Sequence, residues 1–250
     1  MVGARKATAS GCETAARFAA YLVRAGLTIT SGLALGIDAA SHRGALRGKG
    51  ATVAVCGTGL DIIYPTQHNE LAAAIRASGA LVSELPPGTA PRKLHFPRRN
   101  RLISALAEGV LVVEAAPRSG SLITARRALE LARPVFALPG SINNPLSRGC
   151  HQLIQAGATL VLEPANILRS LKIPLPNEGL VRRIGRSDAR EAMDKGYEML
   201  LDAVGFEPAT MDVLVRRTGL PGDSIASMLL DLELEGHVVP YPGGRFGRIP

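Results

Sequence analysis

Short apolar runs alternate with segments of helical spacing through the first two-thirds of the chain. The runs are rich in β-branched residues and apolar on both alternating faces, which is typical of strands buried in a parallel sheet. Strict alternation of strand and helix predicts a Rossmann-like, doubly wound α/β domain with a mostly parallel sheet over residues 1–170. The predicted strands are 27–31, 52–56, 81–84, 110–114, 135–138 and 159–162, and the predicted helices are 13–24, 37–47, 67–77, 100–107, 122–131 and 150–155.

The pattern changes after Asn166. Proline, asparagine and glycine residues interrupt the periodicity at 174–179, and a charged run at 182–190 follows, so residues 171–193 are predicted to form a linker. Three helical patterns and a hairpin with a Gly-Gly turn then predict a small C-terminal winged-helix domain over residues 194–250. Its helices are predicted at 194–203, 210–217 and 223–235, and its hairpin at 240–247.

Positive charge is concentrated in the predicted α/β domain. The 250-residue chain has a net charge of +8, which favours nucleic acid, anionic membrane or acidic protein as a partner. Residues 1–170 hold 19 Lys and Arg against 9 Asp and Glu, whereas residues 171–250 hold 10 against 12. A winged helix that reads DNA is usually basic on its third helix. Here the third helix is acidic, so we expect the C-terminal winged helix to have a protein-contact or regulatory role. The carboxylates of the third helix are Asp223, Asp231, Glu233 and Glu235.

Composition excludes several protein classes. Hydrophobic residues make up 46% of the chain, yet no apolar run approaches the roughly 20 residues that a membrane-spanning helix needs. The start, Met1 to Lys6, lacks an apolar signal region. Cys12, Cys56 and Cys150 are few and far apart, which argues against a disulfide framework and for a reducing compartment. The sequence therefore predicts a cytoplasmic protein that does not act at a membrane.

The segment His95-Phe96-Pro97-Arg98-Arg99-Asn100-Arg101 combines three guanidinium groups with an aromatic ring. An arginine fork donates two parallel hydrogen bonds to phosphate, and a ring offers a surface on which a base can stack. Lys93 adds a further positive charge nearby. The segment is therefore typical of a site for an anionic polymer that carries bases. The alternative is a solvated basic turn at the start of a helix.

Small residues occupy several positions where a predicted strand gives way to a helix. There, backbone N–H groups can approach an anion and the helix dipole favours negative charge. Phosphate is the natural ligand of such loops, although each glycine also suits tight turns. No Gly-x-Gly-x-x-Gly or P-loop lysine is present, so a dinucleotide or nucleoside triphosphate cofactor is not predicted. The loops are 3–5, 31–36, 57–59 and 119–121, and the phosphate-loop candidates are Gly32, Gly36, Ser119, Gly120 and Ser121.

Catalytic chemistry has little support in the sequence. The histidines lack metal-ligand spacing, and no Gly-x-Ser-x-Gly elbow or paired-carboxylate motif occurs. Glu114 ends a predicted strand, where a catalytic role and a buried structural role remain equally open. We therefore expect neither an enzyme nor a bound metal.

Seven short segments occur in a fixed order along the first two-thirds of the chain: VGARKAT at 2–8, SGLALGID at 31–38, GTGLD at 57–61 with Tyr64-Pro65, FPRRNR at 96–101, VVEA at 112–115, SGSLIT at 119–124 and PGS at 139–141. This ordered set resembles the DNA-processing protein A (DprA/Smf) family over roughly residues 2 to 168. The acidic tail is also similar to the C-terminal module of many members. The resemblance implies a protein that binds single-stranded DNA without cleaving it, forms a homodimer and helps to load the RecA recombinase in natural transformation.

The resemblance also implies site residues. A self-association face would include His151, Ile154 and Leu160, although all three side chains could instead pack the core, an alternative that is nearly as good for the aliphatic Ile154 and Leu160. The implied DNA-binding residues are Arg5, Lys6, Gly57, Thr58, Gly59, Lys93, Phe96, Arg98, Arg99, Asn100 and Arg101.

The chain departs from the family pattern at its start. Ala4 stands where members carry serine, which removes one hydroxyl donor to phosphate. Only Met1 and Val2 precede Gly3, so the first strand is almost wholly missing and its neighbours are expected to have unpaired edges. Either the chain is a fragment or its start is misplaced.

Two rival hypotheses belong to other functional classes. Rossmann-like nucleoside-monophosphate phosphoribohydrolases share this type of sheet and carry a Pro-Gly-Gly-x-Gly-Thr loop followed by a catalytic glutamate. The comparable segment 139–144 lacks the second glycine, the threonine and the glutamate. A transcriptional winged helix on an α/β sensor is the other rival, and the acidic third helix argues against it.

Overall fold

The computed structural model describes residues 1–175, 195–204, 208–234 and 236–249. The chain divides into two compact units, Met1–Pro176 and Asn177–Pro250. The predicted charged run at 182–190, and the predicted linker from residue 176 onward, lie outside the described residues.

The first unit contains the predicted parallel strands, arranged in two sheets of three. Their orders are β1-β2-β3 and β4-β5-β6, and every pairing is parallel. The Rossmann-like prediction is confirmed, although most strands end before their predicted limits because the chain turns into loops there. The strands are β1 Ile29–Ser31, β2 Thr52–Val55, β3 Ala80–Val82, β4 Val110–Val112, β5 Val135–Ala137 and β6 Thr159–Leu160.

Met1 and Val2 occupy the space between β1 and β4. The Val2 N–H donates to the Leu111 carbonyl at 2.9 Å, and the Val113 N–H donates to the Val2 carbonyl at 3.2 Å. On the other side, the Met1 nitrogen donates to the Thr30 carbonyl at 2.7 Å. Met1 and Val2 therefore pair part of both neighbouring edges, and the expectation of unpaired edges holds only for the remaining backbone groups of those strands.

Helices follow the strands as predicted, with three differences. The first helix begins at Ala9 because Thr8 caps it, accepting a hydrogen bond from the Gly11 N–H at 2.9 Å. The fourth begins at His95, so the whole basic segment is helical, and a seventh helix starts at Pro164 behind a capping box. No helix in the described parts of the chain is long and apolar enough to cross a membrane. The helices are α1 Ala9–Arg24, α2 Ile37–Arg47, α3 Asn69–Ser78, α4 His95–Ala105, α5 Ser121–Glu130, α6 Arg148–Gln155 and α7 Pro164–Ser170.

Alternating strand residues feed two separate apolar layers. Leu111 and Val113 pack into one cluster with Phe18 of α1 and Leu168 of α7. Val110 and Val112 pack into the other, which includes residues of α4, α5 and α6. Each fully buried aliphatic or aromatic side chain contributes roughly 1.5–3 kcal/mol relative to exposure. The double-sided apolar pattern of the strands thus fixes helices on both faces of the sheet.

A buried histidine connects α2 to two strands. His42 is fully buried, and its Nδ1 lies 2.7 Å from the Thr52 hydroxyl. That hydroxyl donates to the Ile29 carbonyl at 2.7 Å, so it accepts its second hydrogen bond from the imidazole. Burial lowers the pKa of His42 to about 3, because a charged ring there would lose its hydration. His42 is therefore a neutral structural residue.

The second unit is the predicted winged-helix domain. The three helices among its described residues enclose an apolar core that includes Leu200, Leu214, Ile225 and Leu229. A short strand that the sequence pattern did not predict pairs with the hairpin, which makes a three-stranded antiparallel sheet of order β7-β9-β8. The elements are α8 Lys195–Val204, β7 Ala209–Thr210, α9 Met211–Thr218, α10 Gly222–Leu234, β8 Val238–Tyr241 and β9 Arg245–Arg248.

Candidate nucleic-acid interface

A cavity of about 500 Å³ opens at the carboxyl end of the sheet in the first unit. We call it the central cleft. It lies where loops that follow parallel strands converge, which is the usual ligand position in an open α/β sheet. Its walls come from the loop after Val2, the start of α4 and the loop that leads into α5. The residues that line it include Gly3, Arg5, Asp38, Tyr64, Lys93, Phe96, Asn100, Ser119, Gly120 and Ser121.

The Phe96 ring lies at the centre of this arrangement. The guanidinium carbon of Arg5 is 5.6 Å from the ring centroid, within range of a cation–π interaction. The Tyr64 ring is 5.5 Å away, centroid to centroid, at a tilt of 41°. Tyr64 is 46% exposed. It belongs to one of the family-like segments of the sequence but was not among the predicted DNA-binding residues. The cleft thus combines two rings with the charges of Arg5 and Lys93.

Gly57 sets the position of the Phe96 ring. A Cβ atom on Gly57 would lie 2.9 Å from a ring carbon of Phe96, so only glycine permits this close approach. Thr58 is 2% exposed, and its hydroxyl donates to the Ile62 carbonyl at 2.7 Å. Gly59 is also buried. The structure therefore packs Gly57 against the ring and buries the whole predicted DNA-facing loop 57–59. Its contact with DNA stays a prediction.

Arg99 differs from the arginines beside it because it is buried. It is 6% exposed, and its Nη1 donates to the carbonyls of Gly32, at 2.7 Å, and Val55. Burial lowers the pKa of Arg99, and the nearby Asp38 carboxylate opposes that shift. Asp38 in turn accepts from the Gly32 N–H at 3.1 Å. Arg99 also lines the cleft, where its guanidinium holds two backbone segments together. Its contact with DNA stays a prediction.

The phosphate-loop candidates separate into two groups. Gly36 has φ +73°, and a Cβ there would lie 2.3 Å from the Ala4 carbonyl oxygen, so it packs one loop on another. Gly32 is buried against Arg99 and Asp38. Only residues 119–121 border the cleft, where they lead into the amino end of α5.

Six predicted DNA-binding residues do not line the central cleft: Lys6, Arg98, Arg101 and the buried loop residues Gly57, Thr58 and Gly59. Arg98 and Arg101 line a different cavity of about 410 Å³ beside α4, together with Glu84, His95, Pro97, Arg99 and Arg127. We call this cavity the side pocket. Lys6 is exposed and lines neither cavity. The cleft therefore brings together Arg5, Lys93, Phe96, Arg99 and Asn100 of the predicted set.

Glu114, which follows β4, holds the residue that caps the amino end of α1. Its carboxylate accepts from the Thr8 N–H at 2.9 Å and from the Thr8 hydroxyl at 2.6 Å. Both carboxylate oxygens are therefore occupied by the residue that caps α1. Of the two possibilities that the sequence left open for Glu114, these contacts favour the structural one.

The predicted self-association residues lie on or beside an edge of the sheet. Leu160 is in β6, the last strand of its sheet, and is 44% exposed. Ile154 of α6 is partly buried and packs on the apolar cluster that contains Val110 and Val112. The His151 Nε2 lies 3.0 Å from the Gly140 carbonyl oxygen. Only Leu160 presents a large apolar surface to solvent.

Comparison with known proteins assigns the family. The family model for DNA recombination-mediator protein A matches residues 1–172. The chain belongs to the DprA/Smf family. The model for the DprA winged-helix domain matches residues 185–244, which agrees with the fold of the second unit.

Relatives span most of this chain but extend beyond it. Protein Smf of Escherichia coli K12 is 45% identical over 98% of this chain and 66% of its own length. The X-ray structure of DprA from Streptococcus pneumoniae has 46% identity and a TM-score of 0.63, and the match covers 67% of this chain and 59% of that one. This chain thus spans about two thirds of the first relative and less of the second.

A third DprA relative comes from a study of DNA binding. The Helicobacter pylori protein is 32% identical with a TM-score of 0.63, and the match covers 68% of this chain and 77% of that one. Its structure concerns the single-stranded DNA binding mode of the Helicobacter protein.

Proposed function

We propose that this protein binds single-stranded DNA in the central cleft. The observation that carries the proposal is the accessible Phe96 ring, flanked by Arg5 and opening on the backbone of residues 119–121. A ring of this kind can stack on a base, while Arg5 and Lys93 neutralise the phosphates on either side. Single-stranded DNA binding in the Helicobacter pylori relative supports the same ligand.

The cleft favours a single strand over a duplex for a physical reason. Bases in a duplex are already stacked on one another, so their faces are not available to Phe96 and Tyr64. An unpaired strand can turn a base onto a ring at little cost. Phosphate contacts contribute affinity without sequence information, so we expect little preference among sequences.

The expected result is a steep dependence of oligo-dT affinity on salt. The slope should be about −0.7 per phosphate contact on a log-log plot of binding constant against salt concentration. Arg5→Ala should weaken binding and make that slope shallower by about 0.7, because one phosphate contact is lost. Fluorescence anisotropy of a labelled strand across a salt series measures both quantities.

Arg24→Ala is the matched control, because Arg24 is exposed in the last turn of α1 and does not line the cleft. It should leave affinity and slope unchanged. An affinity that does not change with salt concentration, or a preference for duplex DNA over oligo-dT, would count against the proposal.

We propose that the protein acts without catalysis. The contacts of Glu114 with Thr8 support this, because they commit the best candidate carboxylate to a helix cap. Release of base from AMP that is abolished by Glu114→Ala would instead favour the phosphoribohydrolase hypothesis.

We further propose that the bound strand is passed to the RecA recombinase in the cytoplasm, during natural transformation or recombination. The recombination-mediator description of the family supports this role. The proposal fails if the protein does not speed RecA assembly on a strand that is already coated by single-strand-binding protein.

Self-association through the β6 edge is also proposed, because this edge has no strand neighbour in the described part of the chain and exposes Leu160. Leu160→Arg should convert a dimer to a monomer by placing a charge in an apolar contact. Sedimentation equilibrium measures the change, with the exposed Leu129→Arg on α5 as a control. A wild-type protein that is monomeric at high micromolar concentration would contradict the proposal.

A further inference from the structure

The side pocket lies next to the central cleft, and α4 separates the two. Phe96 and Asn100 of α4 line the cleft, whereas Arg98 and Arg101 line the side pocket. This division follows from helical geometry, because residues four apart share a face and residues two apart do not. Pro97 and Arg99 line both cavities, so only the first turns of α4 stand between them.

The side pocket is basic and open. Exposed guanidinium groups of Arg98, Arg101 and Arg127 line it, against one carboxylate, that of Glu84. Arg127 comes from α5, and sequence reasoning did not assign it to any site. Such a set of planar, multiply donating cations is suited to phosphate.

The ion pairs in the side pocket are weak and exchangeable. Arg101 pairs with Glu84, and the Arg127 Nη1 lies 2.6 Å from Glu130 Oε2. All four side chains in these two pairs are about half exposed, where such a pair contributes about 0–1 kcal/mol. Arg98 has no ion-pair partner among the residues that the structure describes. A phosphate in the side pocket could therefore bind Arg98 directly and could displace Glu84 from Arg101.

We propose that the side pocket is a second phosphate subsite, so that a strand held in the central cleft continues over the Pro97 end of α4 into it. This inference rests on the proposed binding of single-stranded DNA. A continuing strand is favoured over a separate acidic protein because the two cavities share residues. The next phosphates of the same strand are then delivered without the entropic cost of a second association.

Glu84 competes with DNA for Arg101 under this proposal. Its carboxylate lies among the phosphate positions and repels them, so its removal should strengthen binding. A gain of affinity is a sharp test, because a misfolded variant cannot produce it.

The experiment compares Glu84→Gln with the wild-type chain on two labelled oligo-dT probes, one of about 4 nucleotides and one of about 20, spanning the usual range of site sizes. The variant should bind the long probe about 3-fold more tightly and the short probe equally, since only the long probe reaches the side pocket. Arg98→Ala and Arg127→Ala should each weaken the long probe about 3-fold and make its salt slope shallower by about 0.7, without effect on the short probe.

The outcomes separate this inference from the proposed function. If the short probe binds and depends on Phe96, while all three side-pocket variants match Arg24→Ala on the long probe, the second subsite does not exist. If neither probe binds the wild-type chain, the proposed function itself fails. If Glu84→Gln tightens binding of a poly-glutamate peptide but not of the long probe, the pocket serves an acidic protein and the proposal is overturned.

Discussion

Replacing Phe96 with alanine should weaken binding of oligo-dT by roughly 5- to 150-fold, which corresponds to about 1–3 kcal/mol of lost stacking. The salt slope should stay the same, because no charged group is removed. Anisotropy titrations at several salt concentrations give both values. Phe96→Ala thereby differs from Arg5→Ala, which should change the slope.

Two further variants show whether the aromatic ring of Phe96 itself is responsible for the affinity for oligo-dT. Phe96→Tyr keeps an aromatic face and should retain most of the affinity. Gly57→Ala keeps the ring but places a Cβ atom 2.9 Å from it, so the ring must move and binding should weaken. If Phe96→Ala folds and binds as tightly as the wild type, the ring is not a stacking platform. If the variant fails to fold, Phe96 has a role in core packing.

Replacing Arg99 with leucine should lower the free energy of unfolding by about 3–5 kcal/mol. The substitution removes the guanidinium that most favours the charged form of the buried Asp38, and it removes the donor to two backbone carbonyls. An unpaired buried charge and unsatisfied carbonyl groups each carry a large penalty. Urea denaturation followed by circular dichroism measures the loss.

Arg98→Leu is the matched control for that variant. It changes the same residue type one position earlier on α4, but at an exposed site, so the free energy of unfolding should change by less than about 0.5 kcal/mol. Adding Asp38→Asn to Arg99→Leu should recover part of the lost stability, because the amide oxygen still accepts backbone hydrogen bonds without a buried charge. Equal stability losses for Arg98→Leu and Arg99→Leu would show that Arg99 has no structural role.

The sequence alone was sufficient to predict the architecture of both domains. Alternating apolar residues such as Val110 to Val113 can be buried only between two layers of helices, so a parallel sheet covered on both faces follows from the pattern. The winged-helix domain also followed from local spacing and turn residues. Element limits were less accurate where a cap outside the apolar pattern decided them, as Thr8 does for α1.

The sequence also determined which kinds of residue the site contains, but only the tertiary structure decided what each of them does. Arg98, Arg99 and Arg101 are equivalent in the sequence, yet one supports the backbone under the cleft and the other two face a separate pocket. Gly57 and Thr58 are adjacent in a glycine-rich loop, yet Gly57 packs against the Phe96 ring whereas the Thr58 hydroxyl donates to the Ile62 carbonyl. The reason is physical: local spacing determines the face of a helix on which a side chain lies, whereas burial and hydrogen-bond partners depend on elements that are distant in the chain.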